Sequence, residues 1–409
     1  MVNWVKFISV ADVISPMILK KELWDQFFYL ESNKEYHIDG NHLLSNLVAL
    51  VMASCLSAHP YVKKIGSNAF DELHKELRIQ VLDDGGHYEK SPMYQALIVE
   101  DLLDIANLYS LRPDTRDHLE VLHYFIFKML GWLENFRFSD NDYSLFNDTY
   151  NGNVLDFDSL RAYYRRIFNV NFNMKQAVIT HLKETGFVRY HCGDCELLID
   201  IGTIGPDHLT GHSHADVSSF EIYLFGQKVL SNLGVSTYEN NERRLFERSS
   251  DAHNTITVNG RSSAKCWRAF RTSYRPNIIS SNVMQLDDDW IVKVKYSGFG
   301  YRWQRSIHER VFVLSQNSLL ITDQVWCAKM RKNAVRAFFH LHPNISIQNH
   351  SHNSLFLSIA EKSFATVQFD YEYEIMPSIF SNNFERVYNT CSIVGKVAPE
   401  IINKTYISW

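Results

Sequence analysis

The stretch Gly211-His212-Ser213-His214-Ala215-Asp216-Val217-Ser218-Ser219-Phe220 opens the strand-rich half of the chain and concentrates its ionisable chemistry. In an extended conformation, alternation would set His212, His214 and Asp216 on one face. The run that follows, from Phe220 to Leu230, reads as a strand, a turn at Gly226 and Gln227, and the start of a return strand. Two imidazoles are therefore expected beside a rigid sheet. A lone histidine on a strand is most often an ordinary core or surface residue. Two at alternate positions with an adjacent aspartate point further, and His253 repeats the theme at the mouth of a second alternating run, Ser250 to Gly260.

Towards the N-terminus the pattern differs. Up to about Phe172, apolar residues recur every three or four positions, as in Leu43, Leu44, Leu47, Val48 and Val51, or Leu122, Phe125, Ile126, Met129 and Leu133. This spacing predicts amphipathic helices near 4–12, 16–31, 40–58, 61–80, 91–111, 115–136 and 157–171, joined by short connections that favour antiparallel hairpins. Past about Gln176, short alternating runs predict strands, among them Glu196 to Ile201, Asn254 to Asn259, Trp290 to Tyr296, Arg305 to Ser315, Ser318 to Thr322, Arg336 to Leu341, Ser354 to Ile359 and Ala365 to Tyr371. The expected class is a multidomain α+β protein, with a helical domain over 1–175 and stacked antiparallel sheets over 176–409.

The length of 409 residues agrees with more than one core. Hydrophobic residues at 45% and aromatics at 13% argue against disorder and supply rings enough for a carbohydrate cleft as well as a core. A net charge of −5 argues against a general nucleic-acid binder, so a polyanionic ligand would need a local basic patch. Arg243, Arg244 and Arg248 offer one, either as contacts to acidic sugars or as a solvated loop. Six scattered cysteines make no disulfide framework, and Cys192-Gly193-Asp194-Cys195 reads as a hairpin carrying free thiols rather than a zinc or redox site. Met1 to Lys20, interrupted by Asp12, lacks the pattern of an export signal, and no later segment is apolar for long enough to cross a bilayer.

The helical half carries two polar stretches. Asp39-Gly40-Asn41-His42 reads as an N-cap and first turn, where Asn41 and His42 either hold an anion or cap their own helix. In Asp84-Gly85-Gly86-His87-Tyr88-Glu89-Lys90-Ser91-Pro92-Met93-Tyr94, Ser-Pro starts a helix and puts Tyr94 near its third position. There Tyr94 is either an acid–base group or a packed tyrosine.

In this order, Gly40-Asn41-His42-Leu43-Leu44, the Asp84 to Tyr94 stretch, Gly211-His212-Ser213-His214-Ala215-Asp216 and Ala252-His253-Asn254-Thr255 resemble the motifs of the heparinase II/III family of polysaccharide lyases, which includes alginate lyases. The resemblance spans nearly the whole chain. It implies an N-terminal α/α toroid, partial here because family members carry more helical sequence ahead of Val2-Asn3-Trp4, followed by an antiparallel β-sandwich. It implies β-elimination on a uronic-acid polysaccharide, with the C5 proton abstracted and the C4–O bond broken. Asn41 and His42 would face the carboxylate, Tyr94 would be an acid or base, and His212 a second base. Glu89, with Arg243, Arg244 and Arg248, would contact the sugar chain. His214 and His253 match metal-ligating histidines, and the third ligand, usually an Asp, is here Asn232, an amide that binds zinc less well than a carboxylate does. The implied partners are an acidic polysaccharide and a divalent metal such as zinc, without an organic cofactor or nucleic acid. Competing readings are a glycoside hydrolase using carboxyl groups such as Glu89 and Asp84, and a non-catalytic component of a bacterial surface-polysaccharide pathway. His340 and His342 are expected to be structural, and Tyr238 to stand at a cleft rim. Compartment, polymer, endo or exo mode and oligomeric state stay open.

Overall fold

The computed structural model describes residues 2–3, 5–6, 17–174, 177–301, 305–327, 334–351, 353–360 and 362–409. The helix expected near 4–12 lies largely outside the described residues. The others form where apolar spacing placed them, as α1 (Met17–Ser32), α2 (Gly40–Ser54), α3 (Pro60–Gln80), α4 (Pro92–Ser110), α5 (Arg116–Glu134) and α6 (Phe157–Phe168). Helix α2 ends at Ser54, short of the expected 58, because the amides of Cys55 and Leu56 turn back on Met52 and Ala53.

Local chemistry sets the helix ends. His59 caps α3 by accepting the Tyr61 amide, and Pro60 occupies the first position, where its missing N–H costs nothing. Asp156 caps α6 by accepting the Ser159 amide, and Asn169, at φ 52°, closes it in a left-handed turn. At α2 the expectation fails: Asp39 sits at φ 66° and makes no side-chain cap. Gly40, itself at φ 59°, carries the chain into the helix instead.

Two compact units result. The first comprises residues 1–88, 94–134 and 155–174, and the second 89–93, 135–154 and 175–409. In the first, α2 is buried almost throughout and packs on α3, which turns Val62, Ile65, Ala69, Phe70, Leu73 and Leu77 inward. Each Val, Ile, Leu or Phe side chain among these, when fully buried, contributes on the order of 1.5–3 kcal/mol. The second unit takes in two pieces of the helical half because sheet-side groups satisfy them. Leu145 donates its amide to Glu221, and Lys90 Nζ donates to the Thr203 carbonyl at 2.7 Å.

Within the second unit a five-stranded antiparallel sheet runs in sequence order, through β1 (Ile179–Leu182), β2 (Phe187–Cys192), β3 (Cys195–Asp200), β4 (Phe220–Leu224) and β5 (Gln227–Leu230). An eight-stranded sheet runs in the spatial order Ser346–His350, Ser354–Ile359, Lys362–Phe369, Ile402–Ser408, Ser318–Trp326, Ser306–Ser315, Asp289–Gly298, Asn277–Leu286. A four-stranded sheet follows Tyr373–Phe380, Tyr388–Val397, Val335–His340, Ile256–Val258. Strand Ser306–Ser315 shows the period of two without a break, burying every second residue. Phe220 and Ile222, Val292, Phe312 and Ile321, and Ala337 and Phe339 join the three sheets in one core. Helices followed by packed antiparallel sheets is the architecture expected.

Cys192 and Cys195 pair across the β2–β3 hairpin as free thiols, as their spacing predicted. His340 is buried between Ser392 Oγ and the His253 carbonyl, a structural placement. No helix among the described residues is long and apolar enough to cross a membrane.

Candidate functional site

The segment Gly211–Ser219 is an irregular loop, not the extended strand expected, so alternation does not decide where its side chains point. His212 and His214 nevertheless meet, because both bind one carboxylate. His212 Nδ1 lies 2.9 Å from Asp148 Oδ2, and His214 Nε2 lies 2.8 Å from Asp148 Oδ1. Asp216 does not join them. Burial pushes its carboxyl up to about 7, and burial together with the Asp216 charge raises the Asp200 carboxyl well above the usual range.

Asp148 is the hub. It is completely buried, and the Arg244 guanidinium grips both of its oxygens, at 2.5 and 2.7 Å. Burial alone would raise its carboxyl, but the Arg244 charge and the hydrogen bonds from both imidazoles outweigh it and hold Asp148 well below the usual carboxylate range. The backbone keeps the hub in register. The Asp148 amide donates to the His212 carbonyl at 3.1 Å, and the neighbouring Asn147 accepts the His214 amide at 3.1 Å and donates to the Lys90 carbonyl at 3.0 Å.

An ionised carboxylate only accepts, so Nδ1 of His212 and Nε2 of His214 carry the protons in these bonds. His212 thus has Nε2 left as its basic nitrogen. That atom stands 3.4 Å from Glu89 Oε2, and the ring keeps 11% of its side-chain surface exposed. Glu89 is not an open sugar contact: its side chain is 2% exposed and flanks His212.

His253 Nδ1 faces the Ser249 carbonyl at 2.7 Å, so it too carries its proton there. Its Nε2 then meets Nδ1 of His214 at 3.2 Å, lone pair towards lone pair when both rings are neutral. Burial holds His214 down at about 4 and His253 well below the usual imidazole value. Two donors therefore converge as a metal would require. The third does not: Asn232 Oδ1 already accepts from Ser219 Oγ at 2.6 Å and from the Asn254 amide at 3.3 Å. Asn232 itself is held just past β5 by Glu221, which accepts its amide, and by Gly234, whose φ of 76° and closeness to the Ser381 carbonyl leave no room for a Cβ. Among the described residues no three His, Cys, Asp or Glu side chains are grouped to hold a metal. The residues present do not complete the metal centre that the motif implies.

The expected basic patch is largely internal. Arg244 and Arg248 are completely buried, and Arg243 is drawn onto Glu247 at 2.7 Å. Arg248 donates to the carbonyls of Thr210 and Ser213 on the histidine loop and to those of Arg268, Ala269 and Arg271. Its charge is spent on structure because five backbone acceptors surround it. Tyr238 packs against Tyr150, Phe270 and Phe384, with the Arg244 guanidinium 5.0 Å from its ring centre.

In the first unit, Asn41 and His42 occupy the first turn of α2, where His42 is half exposed and 3.6 Å from Glu35. Tyr94 is the third residue of α4, as expected, and partly buried.

Residues 174–409 match the family model described as Heparinase II/III-like, C-terminal, and residues 4–176 match Heparinase II/III N-terminus. The chain belongs to the heparinase II/III family. A curated heparin-sulfate lyase of Bacteroides stercoris is 24% identical over 250 residues, covering 55% of this chain and 36% of that protein. The match thus spans about a third of that relative's length. A heparinase III crystal structure aligns over 99% of this chain and 67% of its own at a TM-score of 0.78 and 15% identity. A heparan sulfate lyase of Pedobacter heparinus aligns over 98% and 64% at 0.71 and 15%. At that identity the likeness establishes the fold. Asp148, the residue that organises the heparinase-like histidine loop, went unread in the sequence. Its setting, Ser144-Leu145-Phe146-Asn147-Asp148-Thr149, has no periodicity and no spacing relation to the histidines.

Proposed function

We propose that the protein is a polysaccharide lyase that cleaves a uronic-acid-containing chain by β-elimination, with a heparan-sulfate-type glycosaminoglycan as the first substrate to test. The relatives' names supply the substrate class. The observation that carries the reading is the Asp148–His212 pair. A buried carboxylate fixes His212 in the tautomer whose Nε2 carries the lone pair that can take a proton, and Glu89 stands beside that nitrogen to stabilise the imidazolium that results.

In this reading His212 removes the C5 proton of the uronate, the C4–O bond breaks, and the departing oxygen is protonated. Tyr94 is assigned that last step as acid, and the C5 proton abstraction as base for the other uronate epimer, on the strength of its motif and its hydroxyl, which both gives and takes a proton. Asn41 and His42 are assigned the substrate carboxylate, whose charge must be offset for the carbanion-like state to form. No step passes through a metal. A divalent ion would find His214 Nδ1 and His253 Nε2 but would have to take Asn232 from Ser219.

The test is incubation with a panel of uronic-acid polymers, with and without chelator, read by ultraviolet absorbance and product mass. Unsaturated ends are expected. Saturated products would establish a hydrolase, and binding without products a non-catalytic role.

A further inference from the structure

Between Asp251 and Asp287 the chain carries five cations, Arg261, Lys265, Arg268, Arg271 and Arg275, and no carboxylate, in a protein of net charge −5. The middle of this segment is a small hairpin pairing Cys266–Trp267 with Arg271–Thr272. Direct cross-strand partners share a face, so Cys266 and Thr272 lie on one side and Trp267 and Arg271 on the other. The first face is turned inward, where the buried Arg248 guanidinium reaches Thr272 Oγ1 at 3.4 Å. The second is turned to solvent: Trp267 is 42% exposed, Arg271 is exposed, and the Arg268 guanidinium lies 5.5 Å from the Trp267 ring centre.

Arg275 is paired with Asp207. Lys265, Arg268 and Arg271 form no ion pair with any carboxylate among the described residues, so their charge is available to a ligand. At the foot of the hairpin, Lys265, Tyr274 and Tyr301 help line a cavity of about 370 Å³ with no acidic residue among its described lining. The hairpin is also anchored to the proposed base. Arg248 ties its turn to the carbonyls of Thr210 and Ser213, and Phe270 in that turn stands 6.1 Å from the His212 ring, centre to centre.

We infer that the outer face of this hairpin, with Trp267, Arg268 and Arg271, and Lys265 at its foot, is a subsite for a sulfated or carboxylated sugar of the same chain on which His212 acts. The inference rests on the acidic-polysaccharide reading above. The tryptophan offers a flat apolar surface to a sugar ring, and the guanidiniums offer paired donors to sulfate or carboxylate oxygens. Arg248 keeps the hairpin in place without spending an exposed charge.

The test is direct binding in a His212→Ala/Tyr94→Phe background, so that nothing is consumed. Heparan sulfate and alginate oligosaccharides are titrated at two salt concentrations, with dextran as the neutral control. Arg268→Ser/Arg271→Ser should weaken acidic oligosaccharides roughly tenfold and flatten their salt dependence. Arg268→Lys/Arg271→Lys should keep the salt dependence but only part of the affinity, since an ammonium carries the charge without the paired donors, and thermal midpoints should hold because these side chains are on the surface. Unchanged affinity and salt dependence in the serine variant overturn the inference, as does a failure of every acidic oligosaccharide to bind. Binding through the hairpin by a protein that releases no unsaturated product would uphold the subsite and sink the lyase reading alone.

Discussion

Replacing Asp148 by alanine should injure the protein twice, and a second substitution should repair only one injury. The carboxylate is the sole acid within bonding distance of the buried Arg244 guanidinium among the described residues, and it holds the protonated nitrogens of His212 and His214. Without it Arg244 is left charged and unpaired in the interior, which costs about 3–5 kcal/mol. His212 loses the acceptor that fixes its tautomer, so the turnover rate should fall by about 10²–10⁴, the usual contribution of a positioned general base. Adding Arg244→Met removes the stranded charge, and the Ala269 carbonyl that Arg244 also served keeps Arg248 Nη1 at 3.0 Å. Removing both members of a buried pair is often near neutral, so most of the stability should return. The rate should not. Urea denaturation measures the first quantity, and the initial rise in ultraviolet absorbance on a cleaved polymer the second. If the rate recovers together with stability in the double variant, Asp148 acts on folding alone and the proposed positioning of His212 is wrong.

Three further outcomes are expected. Tyr94→Phe should keep the fold by circular dichroism while lowering the release of unsaturated ends by about 10²–10⁴-fold; undiminished release removes Tyr94 from the chemistry. Asn232→Asp should supply the carboxylate that the His214–His253 pair lacks and raise zinc content measured by mass spectrometry, an increase that His214→Ala should abolish. Asp323 is buried with Arg310 and His308; burial would raise its carboxyl, but the Arg310 charge and the His308 hydrogen bond keep it well below the usual range. A depressed carboxyl contributes stability above its unfolded value of about 3.9 and loses it as pH falls further. Asp323→Asn should therefore cost about 3–5 kcal/mol at neutral pH and show a flatter loss below about pH 4, followed by denaturant midpoints.

Strands with one buried face were readable because alternation reports burial: Ser306–Ser315 and Asp289–Gly298 fell where the pattern put them. Strand Asn277–Leu286 was missed, since it lies at the edge of its sheet with both faces largely exposed, and Ser280, Ser281 and Asn282 blur any period. The site divided along a similar line. His212 and His214 stood out by spacing, but the spacing argument put Asp216 beside them, whereas the bonds that join the two rings run to Asp148. The arginines were misjudged for the converse reason. In a sequence Arg243, Arg244 and Arg248 look like a surface patch, and only the fold reveals that Asp148 and five carbonyls draw two of them inside.

By itself, then, the amino-acid order determined a helical part followed by antiparallel sheets and the neighbourhood of the histidines, because periodicity and short motifs are local properties of the chain. Tertiary structure alone decided which carboxylate orients His212, what Asn232 is bonded to, and which cations remain exposed. Asp148 lies 64 residues from His212 and 96 from Arg244 along the chain. A buried charge has to find its partners in space, and nothing in residue spacing records which ones it finds.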